Sequence, residues 1–537
     1  MKKTASIRAL SLPPTRPSPV LVDPDLIAGY LEDASSVGPG TARGLLRPDR
    51  PEEAATFLRM TAGRELDVLP QAARSSLTGA ARPRGEVVIT CERWTDAELL
   101  SAGGPAGRVR CGAGVRLRDL QRWLGEHGRF FPPIPTYQEA MIGGTIATDA
   151  GGAATFKYGK TRAWVRGIEV LLFNGDLLKV ERGECVVPRG GTFRVELPGG
   201  RVLEVPTPTY LLPAVKKLSC GYWSSDPMDL VDLFVGSEGT LGMLASATLD
   251  LVPLPPAVVA GLAFLPDSGA ALALSRTLCS GAVPGVRSVE MLDDRCLSLL
   301  KAHGDAEKLR VTLPAGAGAA LIFEIEMPEA IDRDAAEAIV VASLEGEASR
   351  HPLAQLVREV ERHGAGDDFE LVFPGDDVRR EALAAFREAA PKRVNEILQA
   401  RRRDDAGIAK VGGDLVVPPA ELDAAIAFWR EGFAARGLEF AIWGHVSDGN
   451  LHPNALPRSL AQTDAACEVL LDFARDAGRR GGAPLAEHGV GRSPLKQRML
   501  REFLGEPALA EMRAIKDALD PDDRFSPGVL FPARQRP

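Results

Sequence analysis

The chain of 537 residues carries 64 basic and 72 acidic side chains, a formal net charge of −8, and 45% of its residues are apolar, as in soluble globular proteins. This balance argues against a nucleic-acid binder, which presents a basic patch. No apolar run reaches the ~18 residues of a transmembrane segment, and the N-terminus lacks the apolar stretch of a signal peptide. The seven cysteines are scattered without a C-x-x-C pair, which indicates reduced thiols and a cytoplasmic protein, free or peripheral to a membrane.

Residues 1–20 are rich in proline and polar side chains, and we expect them to form a flexible tail. Residues 21–255 carry short β-branched runs between glycines and prolines, a pattern typical of strands. The predicted elements of this first domain are strands over residues 87–90, 109–111 and 168–173, a hairpin through Asn174-Gly175 into residues 176–180, and helices near residues 51–63 and 115–127.

A domain boundary is predicted at residues 251–256, where three prolines end a strand that they cannot continue. Residues 256–537 alternate strands with longer amphipathic helices, which predicts a second α+β domain with an extra helical segment around residues 330–400. Its predicted elements are strands 258–264, 320–325, 369–373 and 440–443 and helices 332–344, 378–400, 419–435 and 462–478.

The two common phosphate-binding fingerprints are incomplete in this sequence. Gly112 and Gly114 begin a G-x-G-x-x-G motif, but Leu117 occupies the third glycine position, which close helix–strand packing requires. A P-loop spacing ends at Lys160 but begins with Ala154 instead of glycine. We therefore expect neither a Rossmann dinucleotide site nor an NTPase site.

Three other segments are rich in glycine, small residues and hydroxyls: residues 69–79, residues 132–135 followed by 141–152, and residues 234–242. Clustered small residues let backbone N–H groups approach a pyrophosphate, and hydroxyls supply further donors. Each segment alone is also typical of tight turns. The prediction of a nucleotide cofactor therefore depends on the three segments together.

The segment 443–454 combines two histidines with a strong turn signal. Asp448-Gly449 is typical of a two-residue hairpin turn. With that turn, His445 would lie directly opposite His452 on one face of the hairpin. Two imidazoles at this spacing can share one cation.

A carboxylate and a third histidine, Glu487 and His488, follow in the segment 486–491. Glu487, together with His445 and His452, would complete an open site of two histidines and one carboxylate, and His488 would add a third histidine beside it. The alternative is that these are surface or packed histidines. We expect that of His127, His303, His351 and His363.

Together, these segments resemble the FAD-linked oxidases of 2-hydroxy acids, the glycolate oxidase and D-lactate dehydrogenase type of the vanillyl-alcohol oxidase superfamily. The third segment, 234–242, matches that family almost letter for letter, and the histidine segments match its His-x-x-Asp-Gly-Asn-Leu-His and Glu-His-Gly-x-Gly motifs. The resemblance covers residues 25–535 and is weakest across 300–385. It implies an α+β fold: a PCMH-type FAD-binding domain of two α+β subdomains over residues 21–255, then a ferredoxin-like α+β substrate domain and a C-terminal helical segment over residues 256–537.

The resemblance implies FAD, bound non-covalently because the pyrophosphate loop contains no histidine. The loop departs from the family at Ala72, Ala73 and Arg74, where more glycine is usual, and Asp149 stands where asparagine is common. The implied cofactor-binding residues are Gln71, Ala72, Ala73, Arg74, Ser75, Thr78, Pro135, Gly143, Gly144, Thr148, Gly152, Tyr158, Ile168, Glu238, Gly239 and Asn450.

The same resemblance implies that His445, His452 and Glu487 bind a divalent metal, which would be zinc, manganese or iron, and that His488 is the general base. A metal of this kind lowers the pKa of a substrate hydroxyl. The base then takes the hydroxyl proton while C2 delivers hydride to the flavin.

A substrate carboxylate needs a cation, and three residues are candidates for contacts with the substrate. Arg387 matches the family's arginine segment and could bind a carboxylate through two parallel hydrogen bonds. The helix pattern alone predicts instead that Arg387 is a solvated residue. Lys410 is a second candidate cation, and Asn454 is a further polar contact.

The sequence thus predicts an FAD-dependent dehydrogenase or oxidase of a small 2-hydroxy acid such as D-lactate, glycolate or 2-hydroxyglutarate. Electrons would pass to a protein or a quinone, and an Fe–S cluster would lie on a partner subunit because the cysteines lack the usual cluster spacings. Oligomer formation stays open. The alternatives are a transferase resembling alkylglycerone-phosphate synthase and a non-catalytic FAD-binding subunit of an oxidase complex.

Overall fold

The computed structural model describes residues 2–100, 106–366 and 368–534. Helices and strands are mixed along the chain, and strands as far as Pro253 belong to the sheets of an N-terminal half. Strands from Ala257 onward belong to one eight-stranded sheet in a C-terminal half. Within the described residues, no helix combines the length and the apolar character that crossing a membrane requires.

The N-terminal half contains sixteen strands and six α-helices among its described residues. The strands are β1 (Thr4–Arg8), β2 (Leu10–Ser11), β3 (Thr41–Leu46), β4 (Val68–Gln71), β5 (Arg84–Thr90), β6 (Ala97–Leu100), β7 (Arg108–Gly112), β8 (Arg129–Phe130), β9 (Val165–Leu171), β10 (Asp176–Glu181), β11 (Val186–Val187), β12 (Thr192–Glu196), β13 (Val202–Pro206), β14 (Met228–Asp229), β15 (Met243–Asp250) and β16 (Val252–Pro253). The helices are α1 (Pro24–Ala28), α2 (Pro51–Met60), α3 (Leu117–Glu126), α4 (Ile142–Ala147), α5 (Thr155–Tyr158) and α6 (Val231–Phe234).

The C-terminal half contains longer helices, as its sequence pattern predicts. Its strands are β17 (Ala257–Leu265), β18 (Val286–Asp293), β19 (Ala319–Met327), β20 (Phe369–Val372), β21 (Val411–Gly412), β22 (Leu415–Val416), β23 (Phe440–His445) and β24 (Asn450–Ala455). Its helices are α7 (Ser268–Thr277), α8 (Asp294–Ala302), α9 (Asp305–Lys308), α10 (Arg333–Leu344), α11 (Pro352–Arg362), α12 (Asp377–Asp404), α13 (Leu422–Ala435), α14 (Leu460–Arg479) and α15 (Pro494–Leu519).

A three-stranded sheet positions the predicted pyrophosphate loop. β3 and β4 both pair in parallel with β5, and α2 supplies the crossover that parallel strands require. Helix α2 begins with Pro51, which is tolerated there because the first helical N–H needs no partner within the helix. The predicted pyrophosphate loop, residues 69–79, begins within β4 and continues beyond its carboxyl end.

A six-stranded sheet in the order β2-β10-β9-β15-β7-β6 is the largest sheet of the N-terminal half, which also contains the three-stranded sheet β1-β12-β13 and the two-stranded pairs β11-β14 and β16-β8. The predicted hairpin at Asn174-Gly175 is confirmed, because β9 and β10 pair in antiparallel fashion around it. The Asp176 N–H donates to the Asn174 side chain over 3.2 Å and closes the turn.

The large sheet of the C-terminal half is covered by helices on both faces. In β19, Leu321, Phe323 and Ile325 face the layer that includes α7, α13 and α14, while Ala320 and Ile322 face α8 and α12. This alternation follows from the two-residue repeat of a strand. Helix α12 packs through residues three or four positions apart, namely Leu383, Phe386, Ala390, Val394 and Leu398.

The predicted flexible tail over residues 1–20 is wrong in its first part. β1 runs parallel to β12, and Thr4–Arg8 pair with Thr192–Glu196. Only Ile7 of this strand is buried, so the sequence has too few apolar residues to indicate a strand. Backbone pairing with β12 stabilises it instead.

The C-terminal end of the chain packs against the N-terminal half. Phe525 bridges to Val68 of β4, and the buried Arg524 guanidinium donates to the carbonyl oxygen of Phe173 over 2.7 Å and to Thr61 Oγ1 over 2.6 Å. Hydrogen bonds to buried carbonyl groups satisfy both the cation and the backbone. The N-terminal and C-terminal halves are therefore packed together as one unit.

Candidate active site

A cavity of about 800 Å³ lies between the two halves. It is lined on one side by the three glycine-rich segments and on the other by residues that end strands β21, β23 and β24 and begin helix α15. Its volume is in the range of pockets that bind cofactors and small molecules. The segments that the sequence singles out for cofactor and for catalysis thus meet at one cavity.

Most of the predicted cofactor-binding residues line this cavity. They are Gln71, Ala72, Ala73, Arg74, Ser75, Thr78, Pro135, Gly143, Gly144, Thr148, Gly152, Glu238 and Gly239. The loops approach one another closely: a Cβ built on Gly144 would lie 3.3 Å from the Ala72 Cβ. Small residues are needed at this junction because larger side chains would fill the groove between the loops.

The side of the cavity that the three glycine-rich segments line is called the cofactor wall below. Its polar groups suit a phosphate ligand. The hydroxyl residues Ser75, Ser76 and Thr78 line the cavity, and the N–H groups of Thr78 (3.2 Å) and Ala80 (3.1 Å) donate to Ser76 Oγ and fix the shape of the loop. The Arg74 guanidinium lies 4.8 Å from the centre of the Tyr30 ring. Arg74 has no carboxylate partner among the described residues, so its charge could meet that of a phosphate.

Three predicted cofactor residues have other partners. The Tyr158 hydroxyl donates to Glu326 over 2.6 Å, and burial followed by the Glu326 carboxylate raises its pKa. Ile168 is buried within β9. The Asn450 amide donates to Asp414 Oδ1 over 3.2 Å and to the carbonyl oxygen of Leu415 over 3.0 Å. These side chains hold the walls of the cavity together.

Glu238 lines the cavity but does not present a free carboxylate. Its two oxygens accept hydrogen bonds of 2.8 Å from the N–H groups of Val490 and Gly491. Burial raises the pKa of Glu238 to about 7, against the opposing effect of these two donors. Glu238 therefore joins the cofactor wall to the segment that carries Glu487 and His488.

The hairpin of β23 and β24 differs from the predicted register. His445 pairs with Asn450, and Trp443 pairs with His452. Residues 446–448 form a 3₁₀ turn closed by Gly449 with φ of +79°, so the connection is longer than two residues. The predicted direct opposition of His445 and His452 is wrong.

In the observed register, His445 and His452 still lie on one face of the hairpin, as predicted. The observed register is shifted by two positions, and side chains two residues apart point the same way in a strand. His445 and His452 are therefore diagonal neighbours, with ring centres 5.7 Å apart. Gly449 is required at the turn because a Cβ there would collide with the carbonyl oxygen of Val417.

Three imidazoles converge on one carboxylate oxygen. Glu487 Oε1 lies 3.1 Å from His445 Nε2, 3.5 Å from His452 Nε2 and 3.6 Å from His488 Nε2. The second oxygen, Oε2, accepts a hydrogen bond from Lys217 Nζ over 2.8 Å. Burial alone would raise the pKa of Glu487, but the charges of Lys217 and His445 hold it well below its usual range.

This donor set suits a divalent cation such as zinc. Ligand atoms of Asp414, His452, Glu487 and His488 lie within 4.8 Å of one another, and His445 adds another Nε2 beside the same carboxylate oxygen. Imidazole nitrogens and a carboxylate are typical ligands of zinc, manganese and iron. The predicted set of His445, His452 and Glu487 is brought together, with His488 at the same point.

The far side of each imidazole faces a carboxylate. His445 Nδ1 donates to Glu290, and Asp414 lies 3.7 Å from both His452 Nδ1 and His488 Nδ1. Carboxylates in this position orient the imidazoles of metal sites. Burial would lower the pKa of His445, but the Glu290 charge outweighs burial and raises it to about 9.

Asp414 also holds the segment that carries the predicted base. Its Oδ2 accepts hydrogen bonds from the N–H groups of Ala486 (3.1 Å), Glu487 (2.9 Å) and His488 (2.8 Å). Burial lowers the pKa of His488 to about 4, against the opposing charge of Asp414. His488 is therefore neutral near pH 7 and able to accept a proton.

Arg387, the predicted carboxylate ligand, lies at the cavity but is already paired. Its Nε is 3.1 Å from Glu290, and it also contacts Glu388. Its side chain on α12 is 13% exposed, so it is not the solvated residue that the helix pattern predicts. Glu290 connects Arg387 to His445.

The cavity also presents cations that are not paired. Within the described chain, Lys410 and Lys496 make no hydrogen bond or ion pair with their ammonium groups, and both line the cavity. Burial and then the charge of Lys496 lower the pKa of Lys410 to about 8. Asn454 lines the same wall, and its amide donates to the carbonyl oxygen of His452 over 2.9 Å.

Four residues of the site are missed by sequence reasoning. They are Lys217, Glu290, Asp414 and Lys496. Each is an ordinary charged residue in the sequence, and none lies within a motif. Their proximity to the histidines exists only in the folded chain.

Comparison with known proteins agrees with this geometry. The family "FAD linked oxidases, C-terminal domain" matches residues 254–530, and "FAD binding domain" matches residues 42–181. The chain belongs to the FAD-linked oxidases. The resemblance drawn from the sequence, the PCMH-type fold, the FAD cofactor and the assignment as an enzyme are thereby confirmed.

This FAD-linked oxidase is 27% identical to glycolate oxidase subunit GlcD of Bacillus subtilis (strain 168), over 94% of this chain and 92% of that protein. It is 27% identical to mitochondrial D-2-hydroxyglutarate dehydrogenase of Rattus norvegicus, over 96% and 83%. It is 24% identical to D-lactate dehydrogenase of Anaerostipes hadrus, over 96% and 95%.

A solved structure of an alkyldihydroxyacetonephosphate synthase shares the fold. It superposes with a TM-score of 0.58 at 13% identity, over 95% of this chain and 82% of that chain. At this identity the likeness concerns the fold alone. It does not favour the transferase alternative over oxidation.

Proposed function

We propose that this FAD-linked oxidase oxidises a small 2-hydroxy acid to the corresponding 2-oxo acid. The observation that carries the proposal is the convergence of His445, His452 and His488 on Glu487 Oε1, at the wall of the cavity that the FAD-binding loops also line. The names of three relatives, which concern glycolate, D-2-hydroxyglutarate and D-lactate, support this substrate class.

FAD would be held by the loops that line the first wall. Residues 71–78 and the glycines 143, 144 and 152 would approach its phosphates, and Arg74 would supply a positive charge. FAD bound there would supply a two-electron acceptor for hydride. No histidine lies in the loop 69–79, which supports non-covalent binding.

A divalent cation would be held by His445, His452 and Glu487, with Glu290 and Asp414 orienting the imidazoles. Such a cation would act as a Lewis acid and lower the pKa of the substrate hydroxyl. Lys217 would keep Glu487 ionised and in place through the 2.8 Å contact. Zinc, manganese and iron all suit these ligands.

His488 would take the hydroxyl proton at Nε2. The C2–H and O–H bonds of the substrate break and the C2=O double bond forms, so that two electrons leave as hydride and the proton goes to His488. The imidazolium that forms would face Asp414, 3.7 Å from Nδ1. Asp414 is fully buried and ionised, and its charge would stabilise the protonated base.

Lys410 would bind the C1 carboxylate, because it lines the cavity and its ammonium, like that of Lys496, has no partner within the described residues. The positive charge of Arg387, in contrast, is already balanced by the carboxylates of Glu290 and Glu388. Arg387 would therefore contact the substrate only while it remains paired with Glu290. Asn454 would offer an amide at the same wall.

The electrons would pass from the flavin to a protein or quinone acceptor. One relative is named as a subunit of an oxidase, which supports a partner subunit for this chain. All seven cysteines are unpaired thiols without cluster spacing, so an Fe–S group would belong to that partner. A cytoplasmic location, free or peripheral to a membrane, is part of this proposal.

The proposal is tested by anaerobic absorbance of the purified protein with a panel of D- and L-2-hydroxy acids. We expect one class of acid to bleach the flavin band, and chelation followed by metal readdition to stop and restore the bleaching. Elemental analysis of wild type and His445→Ala should show metal only in the wild type. A flavin spectrum that no acid bleaches would contradict the proposal and would favour a transferase or a non-catalytic subunit.

A further inference from the structure

Lys496 is a buried cation without a partner at the wall of the active-site cavity. Its side chain is 6% exposed, and its Nζ makes no hydrogen bond within the described part of the chain. The residue lines the cavity between the two halves. An unpaired ammonium costs folding free energy when it is buried, so the protein gains nothing from this lysine unless an anion enters the cavity.

The position of Lys496 in its helix increases the positive potential. Lys496 lies in the first turn of α15, which begins at Pro494 and is regular as far as its kink at Gly505. The N-terminus of a helix carries a partial positive charge, and acidic groups are the favoured residues there. Ser493 and Leu495, on the same turn, also line the cavity.

The groups around Lys496 do not neutralise it. Asp414 is the acidic group that acts on it, but Asp414 Oδ2 already accepts three backbone N–H groups and lies within no ion-pair distance of Lys496. Cys220 is a neutral thiol, because burial raises its pKa to about 12. His488 and Lys410 also lie near Lys496, and its charge opposes protonation of both.

We propose that Lys496, together with the N-terminus of α15, binds a second carboxylate of the substrate, so that the substrate is a 2-hydroxy dicarboxylic acid. This inference rests on the proposed oxidation of 2-hydroxy acids. Lys410 and Lys496 are two neighbouring, unpaired cations on one wall, and a C1 carboxylate requires only one of them. A monocarboxylic acid would leave Lys496 buried without a counter-charge, whereas a diacid would pair both cations.

The test compares two acids of equal chain length, 2-hydroxyglutarate and 2-hydroxypentanoate, which differ in the distal carboxylate. Flavin reduction is followed anaerobically in wild type, Lys496→Met and Lys496→Arg. We expect wild type to favour the diacid, Lys496→Met to lower the ratio of the two kcat/KM values by about 30-fold or more, and Lys496→Arg to keep most of the preference. Lys301→Met, which removes an exposed lysine on α8, controls for the general loss of positive charge.

Binding is measured independently of turnover with the unreactive acids glutarate and pentanoate, by titration calorimetry and thermal unfolding of the oxidised protein. Glutarate should bind more tightly to wild type than to Lys496→Met and raise the melting temperature of wild type more. Without ligand, Lys496→Met should unfold at the wild-type temperature or above, because it removes an unpaired buried charge. A fold defect is thereby distinguished from a lost ligand contact.

Three outcomes overturn the inference: no preference for the diacid in wild type, a preference that persists in Lys496→Met, or equal losses for both acids in that variant. The last outcome would place Lys496 at the C1 carboxylate. The proposed function fails separately, if no 2-hydroxy acid reduces the flavin. Glutarate binding that depends on Lys496 would then still support the site for a second carboxylate.

Discussion

The two walls of the active-site cavity consist of different kinds of chemical group. The cofactor wall consists of backbone, small side chains and hydroxyls, with Arg74 and Glu238 among its few charged residues. The opposite wall is a set of buried ionisable groups: three imidazoles, three carboxylates and a lysine within short distances of one another. The first wall presents a shape to a ligand, and the second presents charge and proton acceptors.

The two walls depend on the sequence in different ways. Under the proposed function, backbone N–H groups would hold FAD in the cofactor wall, so small residues could replace one another there, as Ala72 and Ala73 do where the resemblance leads us to expect glycine. In the second wall each charge is balanced by a particular neighbour, as Glu487 is by Lys217. Single substitutions should therefore have large effects there and small effects in the cofactor wall.

The largest effect is expected for His488→Ala. The variant should bind FAD normally but reduce it about 10²–10⁴-fold more slowly, because it lacks the group that accepts the hydroxyl proton. The measurement is the anaerobic rate of flavin bleaching at saturating substrate. His127→Ala, which removes an exposed histidine at the end of α3, is the control. Normal reduction by His488→Ala would exclude the proposed base.

Asp414→Asn should have the next largest effect. The amide cannot accept three backbone N–H groups as the carboxylate does, and it carries no charge for His452 and His488. We expect metal affinity to fall by about 10–100-fold, while FAD affinity stays at the wild-type value. Metal competition with a fluorescent chelator measures the first, and flavin titration the second.

The control for this change is Asp293→Asn. Asp293 is buried and caps α8, and asparagine is an equally good residue at that position. Equal metal affinity in wild type and Asp414→Asn would show that Asp414 does not orient the ligands. A loss of FAD affinity in Asp414→Asn would mean that the two walls are not independent.

The sequence predicts the residues that lie close together in the chain and misses those that only folding brings near. His445 and His452 belong to one hairpin, and Glu487 and His488 are adjacent, so their motifs are visible in the sequence. The hairpin register is wrong by two positions, yet the two-residue repeat of a strand keeps both histidines on one face.

The missed residues have a common physical reason. Asp414 lies 72–74 residues from the backbone groups that it holds, and Lys217 lies 270 residues from Glu487. No pattern of hydrophobic periodicity or turn residues relates positions so far apart. The α+β fold and its main helices follow from local patterns, because helix α12 and strand β19 carry their periodicity within one segment.

Glu238→Gln tests the connection between the two walls. Burial raises the pKa of Glu238 to about 7, above the usual value of about 4.3, so the folded protein holds a proton that the unfolded chain releases. The stabilising contribution is therefore complete below about pH 4 and is lost as the pH rises through 7. Relative to Glu238→Gln, the melting temperature of wild type should fall by about 2 °C between pH 5 and pH 8.

The comparison of the two melting curves removes the titration of all other groups, since both proteins share them. Glu204→Gln, which changes an exposed glutamate on β13, should follow wild type at every pH. Parallel curves for wild type and Glu238→Gln would show that Glu238 is ionised in the folded protein at all these pH values. The carboxylate would then be an anionic clamp for Val490 and Gly491.

The smallest effect is expected for Arg74→Gln in the cofactor wall. Arg74 has no carboxylate partner within the described chain and packs against the Tyr30 ring, so its charge is available to a phosphate at a partly exposed position. Loss of one such contact should weaken FAD binding by about fivefold at low ionic strength, with less effect in high salt because exposed charges are screened. Flavin fluorescence during titration of the apoprotein measures the affinity, and Arg64→Gln, at an exposed site, is the control. If Arg74→Gln lowered FAD affinity as much as Asp414→Asn lowers metal affinity, the proposed difference between the two walls would be contradicted. A single side chain of the cofactor wall would then determine FAD binding as strongly as Asp414 determines metal binding.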